Sequence, residues 1–282
     1  MGGAARSSAG EGLSRMASVH GALLDLKRLD QLAAGGTPLH RLDPRAKVLA
    51  TLVFILCVVS FGRYELSALI PFFIFPACLV AAGQLPAGYL AAKVALVTPF
   101  AIAVGIFNPF FDRTVLLHLG PLEVTGGWVS FASIVIRSAL TVGAALTLTA
   151  LTGFAPVCRA LVRLGMPKAF ATQLLFLYRY LFVLAEEGGR AARARELRSF
   201  GRKGSGLASY ASLLGHLLLR TWQRAERMHM AMLARGYTGT FPGGEGGRFG
   251  LRELSFLLFW SALCITLRLY NGAQFLGTLV TG

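Results

Sequence analysis

The sequence predicts an all-α, polytopic membrane protein with about five transmembrane helices and a pair of long cytoplasmic helices between the fourth and fifth spans. Three observations carry this. Of the 282 residues, 55% are hydrophobic and only 15% are charged, against about 25% in an ordinary soluble domain. Five apolar runs have the length to cross a bilayer, alone or with help from neighbours. A basic stretch, residues 153–252, separates the fourth run from the fifth.

Residues 1–24 are rich in Gly, Ala and Ser and hold no apolar core for a signal peptide. The first span is therefore expected to insert the chain. Asp43-Pro44 reads as an N-cap followed by Pro at the first helical position, with Arg45 and Lys47 at the lipid interface. The first span covers residues 47–61. The second, 66–83, follows after "GRYE", and Pro71 and Pro76 predict a kink in it. The third is 91–111. The fourth is 128–152 and contains Arg137, a charge that is expensive there and often functional. A backbone carbonyl or a partner chain would satisfy it. The fifth, 254–267, is short enough to be a buried soluble helix, and its position after four membrane segments decides for a span.

Charge orients these spans. The formal net charge is +15, and in a membrane protein cytoplasmic Lys and Arg explain it more simply than nucleic acid does. Region 153–252 carries Arg159, Arg163, Lys168, Arg179, Arg190, Arg193 and more, opposed only by Glu186, Glu187, Glu196, Glu226 and Glu245. Four spans return the chain to its starting side, so residues 1–46 should be cytoplasmic too. They carry Arg15, Lys27, Arg28, Arg41 and Arg45, and Lys47 follows at once. The loop 112–127 should be outside; its only strong base is Arg113. The tail beyond Arg268 has none. The organisation expected is thus a cytoplasmic segment 1–46, spans one to four over 47–152, the basic cytoplasmic region 153–252, and the last span with an external C-terminus, 253–282.

Within the basic region, Gly165 and Pro167 end a short amphipathic helix, and a longer one begins near Lys168. Its first half is apolar and its second half basic, with Glu186 and Arg190 spaced i, i+4. It ends around "SFGRKGSG". The next helix spans 209–235. Arg220, Arg224 and Arg227 share one face; Leu214, Leu218, Trp222, Ala225 and Met232 line the other. Met228, Met230 and Met232 add adaptable surface. Two readings stand: a helix lying on the membrane with snorkelling Arg side chains, or a helix docking an acidic protein partner.

Several chemistries lack their residues. Cys57, Cys78, Cys158 and Cys264 stand alone in apolar surroundings and read as small buried hydrophobes. His20, His40, His118, His216 and His229 are scattered, so no metal site is expected. "GRKGSG" lacks the Gly-Lys-Ser/Thr of a phosphate-binding loop. The spans offer no intramembrane Asp, HExxH or Ser with a base, so no catalytic residues are expected. The basic helices lack interleaved aromatics for base stacking, which argues against nucleic acid.

Two helix ends share one form: "ELRSFG" (residues 196–201) and "LARGYTG" (233–239) each run from a basic helix through Arg, a small residue and an aromatic to Gly. Gly236 reads as an ordinary C-terminal cap, and a cation in the last turn complements the helix dipole. That does not explain why both ends match. The pair Leu197-Arg198-Ser199 and Ala234-Arg235-Gly236 resembles the two short signatures of the transmembrane coupling (T) components of energy-coupling-factor transporters, most like CbiQ of cobalt uptake systems. "PLHRLDPRAKVLATL" (38–52), "LVRLGMPKAFA" and "LLFLYRYLFVLAEE" resemble that family as well. Leu197 departs from it, since Ala is frequent there.

The resemblance implies a non-catalytic scaffold in a bacterial cytoplasmic (inner) membrane. Its two long helices would be coupling helices whose Arg-bearing ends, Arg198 and Arg235, dock into two CbiO-like ATPase subunits. A substrate-binding, CbiM-like membrane subunit, with a small CbiN-like accessory subunit among the candidates, would complete the complex. ATP would sit on the ATPases and cobalt on the membrane partner, leaving this chain without a cofactor. The rival within the family is the same coupling role in nickel or vitamin uptake, for example of biotin. The physical fit is direct. Arg offers a planar fork of donors to carboxylates, and Ser199 and Gly236 leave room for close approach.

Overall fold

A computed structural model of the chain describes residues 21, 24–62, 65–111, 115–119, 122–198, 207–239 and 250–269. The described residues fall into two compact units, one drawn from residues 29–160 and 245–282, the other from 1–28 and 161–244.

The first unit holds the segments that the sequence reads as spans. After a helix over residues 24–33 (α1) and a single turn, Pro38–Arg41 (α2), the helix α3 covers Pro44–Val59. Its start is the one the sequence predicts: Asp43 accepts a hydrogen bond from the Arg45 backbone N–H at 2.9 Å, and Pro44 occupies the first turn. The second span is two pieces, a 3₁₀ helix Ser67–Phe73 that contains Pro71 and an α-helix Ile74–Ala82 (α4). Pro76 falls in the first turn of α4, where its missing N–H has no helical partner to lose. The expected kink is therefore a change of helix type. Ala87–Gly105 (α5) and a turn Asn108–Phe111 (α6) replace the single third span. The fourth is Gly126–Thr152 (α7), followed by Phe154–Arg163 (α8), and the fifth is Leu251–Leu269 (α11).

The expected all-α chain carries one addition. Val115–Leu119 (β1) and Leu122–Thr125 (β2) pair antiparallel, with a register irregularity between Val115 and Leu117. They lie in the loop expected outside. Runs of β-branched and apolar residues on either side of a tight connection favour such a hairpin.

Aromatic packing ties the helices of this unit together. Phe54 of α3 stacks on Phe75 of α4 at 4.4 Å between ring centres, and Trp260 of α11 meets Phe75 edge-on at 4.9 Å. Leu140, Ala144 and Leu151 of α7 complete the core. Gly83 is needed here, because a Cβ on it would lie 2.5 Å from the Leu151 side chain. Helix α7 runs antiparallel to α3. The Lys47 amine near the start of α3 donates to the Leu151 carbonyl at the end of α7, and Arg137 donates to the Gly62 carbonyl just past α3. Helix α11 runs alongside α3, with Arg268 donating to the Ser60 carbonyl at 3.0 Å. Outward, Leu52, Leu56, Leu96, Phe100 and Phe259 are exposed, a surface suited to lipid rather than water.

In the second unit, α8 ends in an interlocked cap. Gly165 takes φ +114°, its N–H donates to Val162 O and the Met166 N–H reaches Leu161 O. Lys168–Arg198 (α9) and Leu207–Ala234 (α10) follow as two long helices.

Among the described residues, three stretches are long and apolar enough to cross a membrane: Ala87–Gly105, Gly126–Thr152 and Lys168–Ala194. Helix α3, at 16 residues, is shorter than the roughly 20 a span needs, and α11 carries Arg252, Glu253 and Arg268 near its ends. The third stretch is the surprise. It is the body of α9, expected in the cytoplasm, and its apolar first half gives it span-like composition.

Candidate functional site

The described candidate residues sit where their helices end. Arg198 is the last residue of α9, and Leu197 beside it is exposed. Ser199 and the "GRKGSG" segment lie outside the described residues. Ala234 closes α10. Gly236 then adopts φ +78°, its N–H donates to Leu233 O at 2.9 Å, and the Tyr237 N–H donates to Met232 O at 3.0 Å. That pair of bonds is a Schellman cap, and it requires a residue tolerant of the left-handed region. The cap reading of Gly236 therefore holds. Arg235 stands at the fixed turn, exposed, and nothing pairs with its guanidinium among the described residues.

Helices α9 and α10 meet at Gly188 and Leu217; a Cβ on Gly188 would touch the Leu217 side chain at 3.8 Å. An ion cluster fixes the crossing. Glu187, whose side chain is only 15% exposed, faces Arg224 at 3.3 Å and Arg220 at 3.9 Å. This corrects the reading of the Arg stripe as a face for lipid or partner alone: two of its three members are turned to the neighbouring helix. Leu214, Leu218 and Trp222 are exposed as well, with the Trp222 indole N–H donating to Glu226 at 2.9 Å. The clue was the scarcity of acids in so basic a region, with Glu187 placed just before two glycines. A double-mutant cycle on Glu187→Gln and Arg224→Gln is expected to give about 1 kcal/mol of coupling, at the upper end for a partly exposed pair. A coupling within error of zero removes Glu187 from the crossing.

A second constellation surrounds the start of α3. Lys47 was expected at the lipid interface. Instead it is buried, 3% exposed, and its amine donates to His40 O at 3.3 Å and Leu151 O at 3.2 Å. The reason is local supply. The last carbonyls of α7 lack helical donors and carry the negative end of its dipole, and they lie within reach of the Lys47 stem. Arg45 stays half-buried beside Asp43, 3.9 Å away. His40 Nε2 lies 3.1 Å from Leu32 O, so that nitrogen carries the proton, and Nδ1 accepts from the Thr37 hydroxyl at 2.6 Å. Burial, opposed by the Leu32 carbonyl and aided by the nearby Lys47 charge, lowers the His40 pKa below its usual 6.5, so the ring is neutral at pH 7. Asp30 in α1 accepts from the Phe154 N–H at 3.3 Å, past Gly153 at φ +79°. The Lys47–Leu151 and Asp30–Phe154 ties are not legible in the sequence, because their partners lie more than a hundred residues apart in the chain.

Arg137 resolves to the backbone-carbonyl alternative, through Gly62. Of the four free cysteines, Cys158 and Cys264 are buried and Cys57 half-buried, but Cys78 is exposed, which departs from the expected burial. Helix α4 turns that position outward.

The family model "CbiQ: Cobalt transport protein" matches residues 35–243. The chain is 26% identical over 262 residues to the energy-coupling factor transporter transmembrane protein EcfT of Listeria innocua, covering 88% of this chain and 96% of that one. It is 29% identical over 192 residues to the cobalt transport protein CbiQ of Rhodobacter capsulatus, 65% of this chain and 77% of that one. A stretch of 115 residues is 30% identical to a fused cobalt transport protein CbiMQ of Methanocorpusculum labreanum, 40% of this chain and 19% of that one. The matched span takes in the Asp43-Pro44 start, the α7 carbonyls that hold Lys47, the α9–α10 crossing and both Arg-bearing ends. This chain belongs to the CbiQ cobalt transport protein family, and its relatives include transmembrane components of energy-coupling-factor transporters.

Proposed function

We propose that this chain is the membrane-embedded scaffold of an energy-coupling-factor cobalt importer, passing ATP-driven movement of two ATPase subunits to a substrate-binding membrane subunit. One observation carries the proposal: two long helices packed on each other, one ending on Arg198 and the other followed at once by Arg235, which is exposed at a Schellman cap and unpaired among the described residues. Arg198 and Arg235, with Leu197, Ser199, Ala234 and Gly236, form the docking ends. ATP binds to CbiO-like partners and cobalt to a CbiM-like subunit. The fusion named CbiMQ supports such a membrane partner, and a CbiN-like subunit is a further candidate. The chain itself holds no cofactor and catalyses nothing. The same role in nickel or vitamin uptake is the second reading, favoured by the extensive similarity to an EcfT whose name specifies no metal.

The direct experiment is copurification from native membranes. An ATPase pair should accompany the tagged chain, and the accompanying membrane subunit names the substrate. A chain that purifies without ATPases defeats the proposal.

In this reading α3, the Ser67–Ala82 pair, α5, α7 and α11 are five spans of a bacterial inner-membrane protein. Residues 1–46 and 153–252 are cytoplasmic. The antiparallel α3 and α7 and the parallel α3 and α11 support that parity. Were α9 also a span, Arg220, Arg224, Arg227 and Arg235 would be outside, against the positive-inside bias. The expected result is that Ser212→Cys, exposed on α10, resists an impermeant thiol reagent in intact cells, while Glu123→Cys in β2 reacts. Labelling at position 212 in sealed cells makes α9 a span.

A further inference from the structure

Where α2 and the loop after it meet the first turns of α11, the first unit carries an open cleft of about 690 Å³. Arg41 and Arg252 flank it, and Leu39, Leu42, Phe256 and Phe259 supply apolar wall. Both arginines are exposed, and neither has a partner among the described residues. The nearest acid along α11, Glu253, is already accepting the Gly250 N–H at 3.0 Å. Two arginines thus line one opening, their guanidiniums without a partner among the described residues.

We propose that this cleft binds an anionic phospholipid, with its phosphate between Arg41 and Arg252 and its acyl chain along Phe256 and Phe259. The charge matches: guanidinium forks suit phosphate oxygens. The N-terminal turn of α11 adds partial positive charge at the same level. The polarity changes in the right direction. Arg252 and Phe259 are seven residues apart on one helix, about 10 Å along its axis, which takes a lipid from phosphate to hydrocarbon. Phe259 in the wall and Leu258 beside it are exposed and extend the apolar surface. A free phosphate would use the arginines and leave this wall empty. A zwitterionic lipid would use the wall and gain little from the arginines. The inference requires that the chain lie in a bilayer, and it does not depend on the coupling role.

The test is native mass spectrometry of the full chain in detergent, titrated with dioleoylphosphatidylglycerol or dioleoylphosphatidylcholine. Phosphatidylglycerol should bind at least tenfold tighter. Removing either Arg should weaken it about fivefold, and removing both about thirtyfold. Arg41→Ala with Arg252→Ala is the first variant; Arg41→Gln with Arg252→Gln replaces it if the first does not fold. Arg227→Ala, exposed on α10, should leave binding unchanged. Equal binding of both lipids, or an unaffected double variant, overturns the proposal. So does displacement of the lipid by millimolar inorganic phosphate, which would make this a free-anion site. Complete loss of lipid on assembly with partner subunits would make the cleft a protein interface, and would also overturn it. ATPase retention, read in the same preparations, should not change, which separates this result from the fate of the docking ends.

Discussion

With Arg198→Ala and Arg235→Ala combined, the ATPase subunits are expected to leave the complex while the chain stays folded. Arg235 is exposed on its cap, so truncation there should alter folding stability by about 0.5 kcal/mol or less. At an interface the same truncation is far more damaging. It leaves a partner carboxylate buried and unpaired, a loss of roughly 2–5 kcal/mol. That is about thirty- to several-thousand-fold in affinity at 1.4 kcal/mol per decade. Each single variant should weaken retention, and the pair should abolish it along with cobalt uptake. Arg→Lys should restore only part, since an ammonium cannot make the two-pronged contact. Gly236→Ala separates docking from capping: at φ +78° a Cβ is strained, by about 1–2 kcal/mol, so this variant should loosen the helix end itself. Arg220→Ala is the control, being mostly exposed and 3.9 Å from Glu187. If the double variant keeps its ATPases and transports normally, the two signatures are helix caps and nothing more.

Local signals made much of this fold legible. The break at Gly165 and Pro167, the start of α9 at Lys168 and the close of α10 beside Gly236 were all readable, because glycine, proline and capping chemistry act over a few residues. The Asp43-Pro44 start was readable for the same reason. Facing was not. Helix α10 has a basic and an apolar side, and the sequence cannot say which one its neighbour takes. Glu187 in α9 decides it, by drawing Arg224 toward the crossing, with Arg220 at its exposed edge, while Leu214, Leu218 and Trp222 stay exposed. The span-like body of α9 shows the converse limit. Hydropathy registers its apolar first half and cannot weigh it against the charges that follow. The two Arg-bearing helix ends were visible as a repeated pattern, whereas the burial of Lys47 was not, since its partner carbonyl on α7 lies 104 residues away.

Lys47→Met is expected to destabilise the chain by about 2–3 kcal/mol, although methionine nearly matches the lysine stem in length and shape. In the native chain the buried amine donates to His40 O and Leu151 O. Hydrogen bonds from a charged donor contribute about 1.5–3 kcal/mol each. Burying an ammonium opposes that gain, so the net loss falls below the sum of the two bonds. What remains after substitution is the larger problem. The Leu151 carbonyl belongs to the last turn of α7, where no backbone donor follows in register, and a thioether offers it nothing. The helix dipole loses its cation at the same point. Because the amine joins α3 and α7 near one end, its loss should loosen the start of α3 before the aromatic core around Phe54 and Phe75 gives way. For a chain of this length a loss of 2–3 kcal/mol lowers the midpoint of thermal unfolding by roughly 3–5 °C. Lys47→Arg should not rescue, because the wider guanidinium must enter a site where the lysine is 3% exposed. Thermal unfolding of the detergent-solubilised variants measures both effects. A Lys47→Met chain that melts with the parent would mean that Lys47 contributes nothing net, and that the packing of α3 on α7 holds this junction without it.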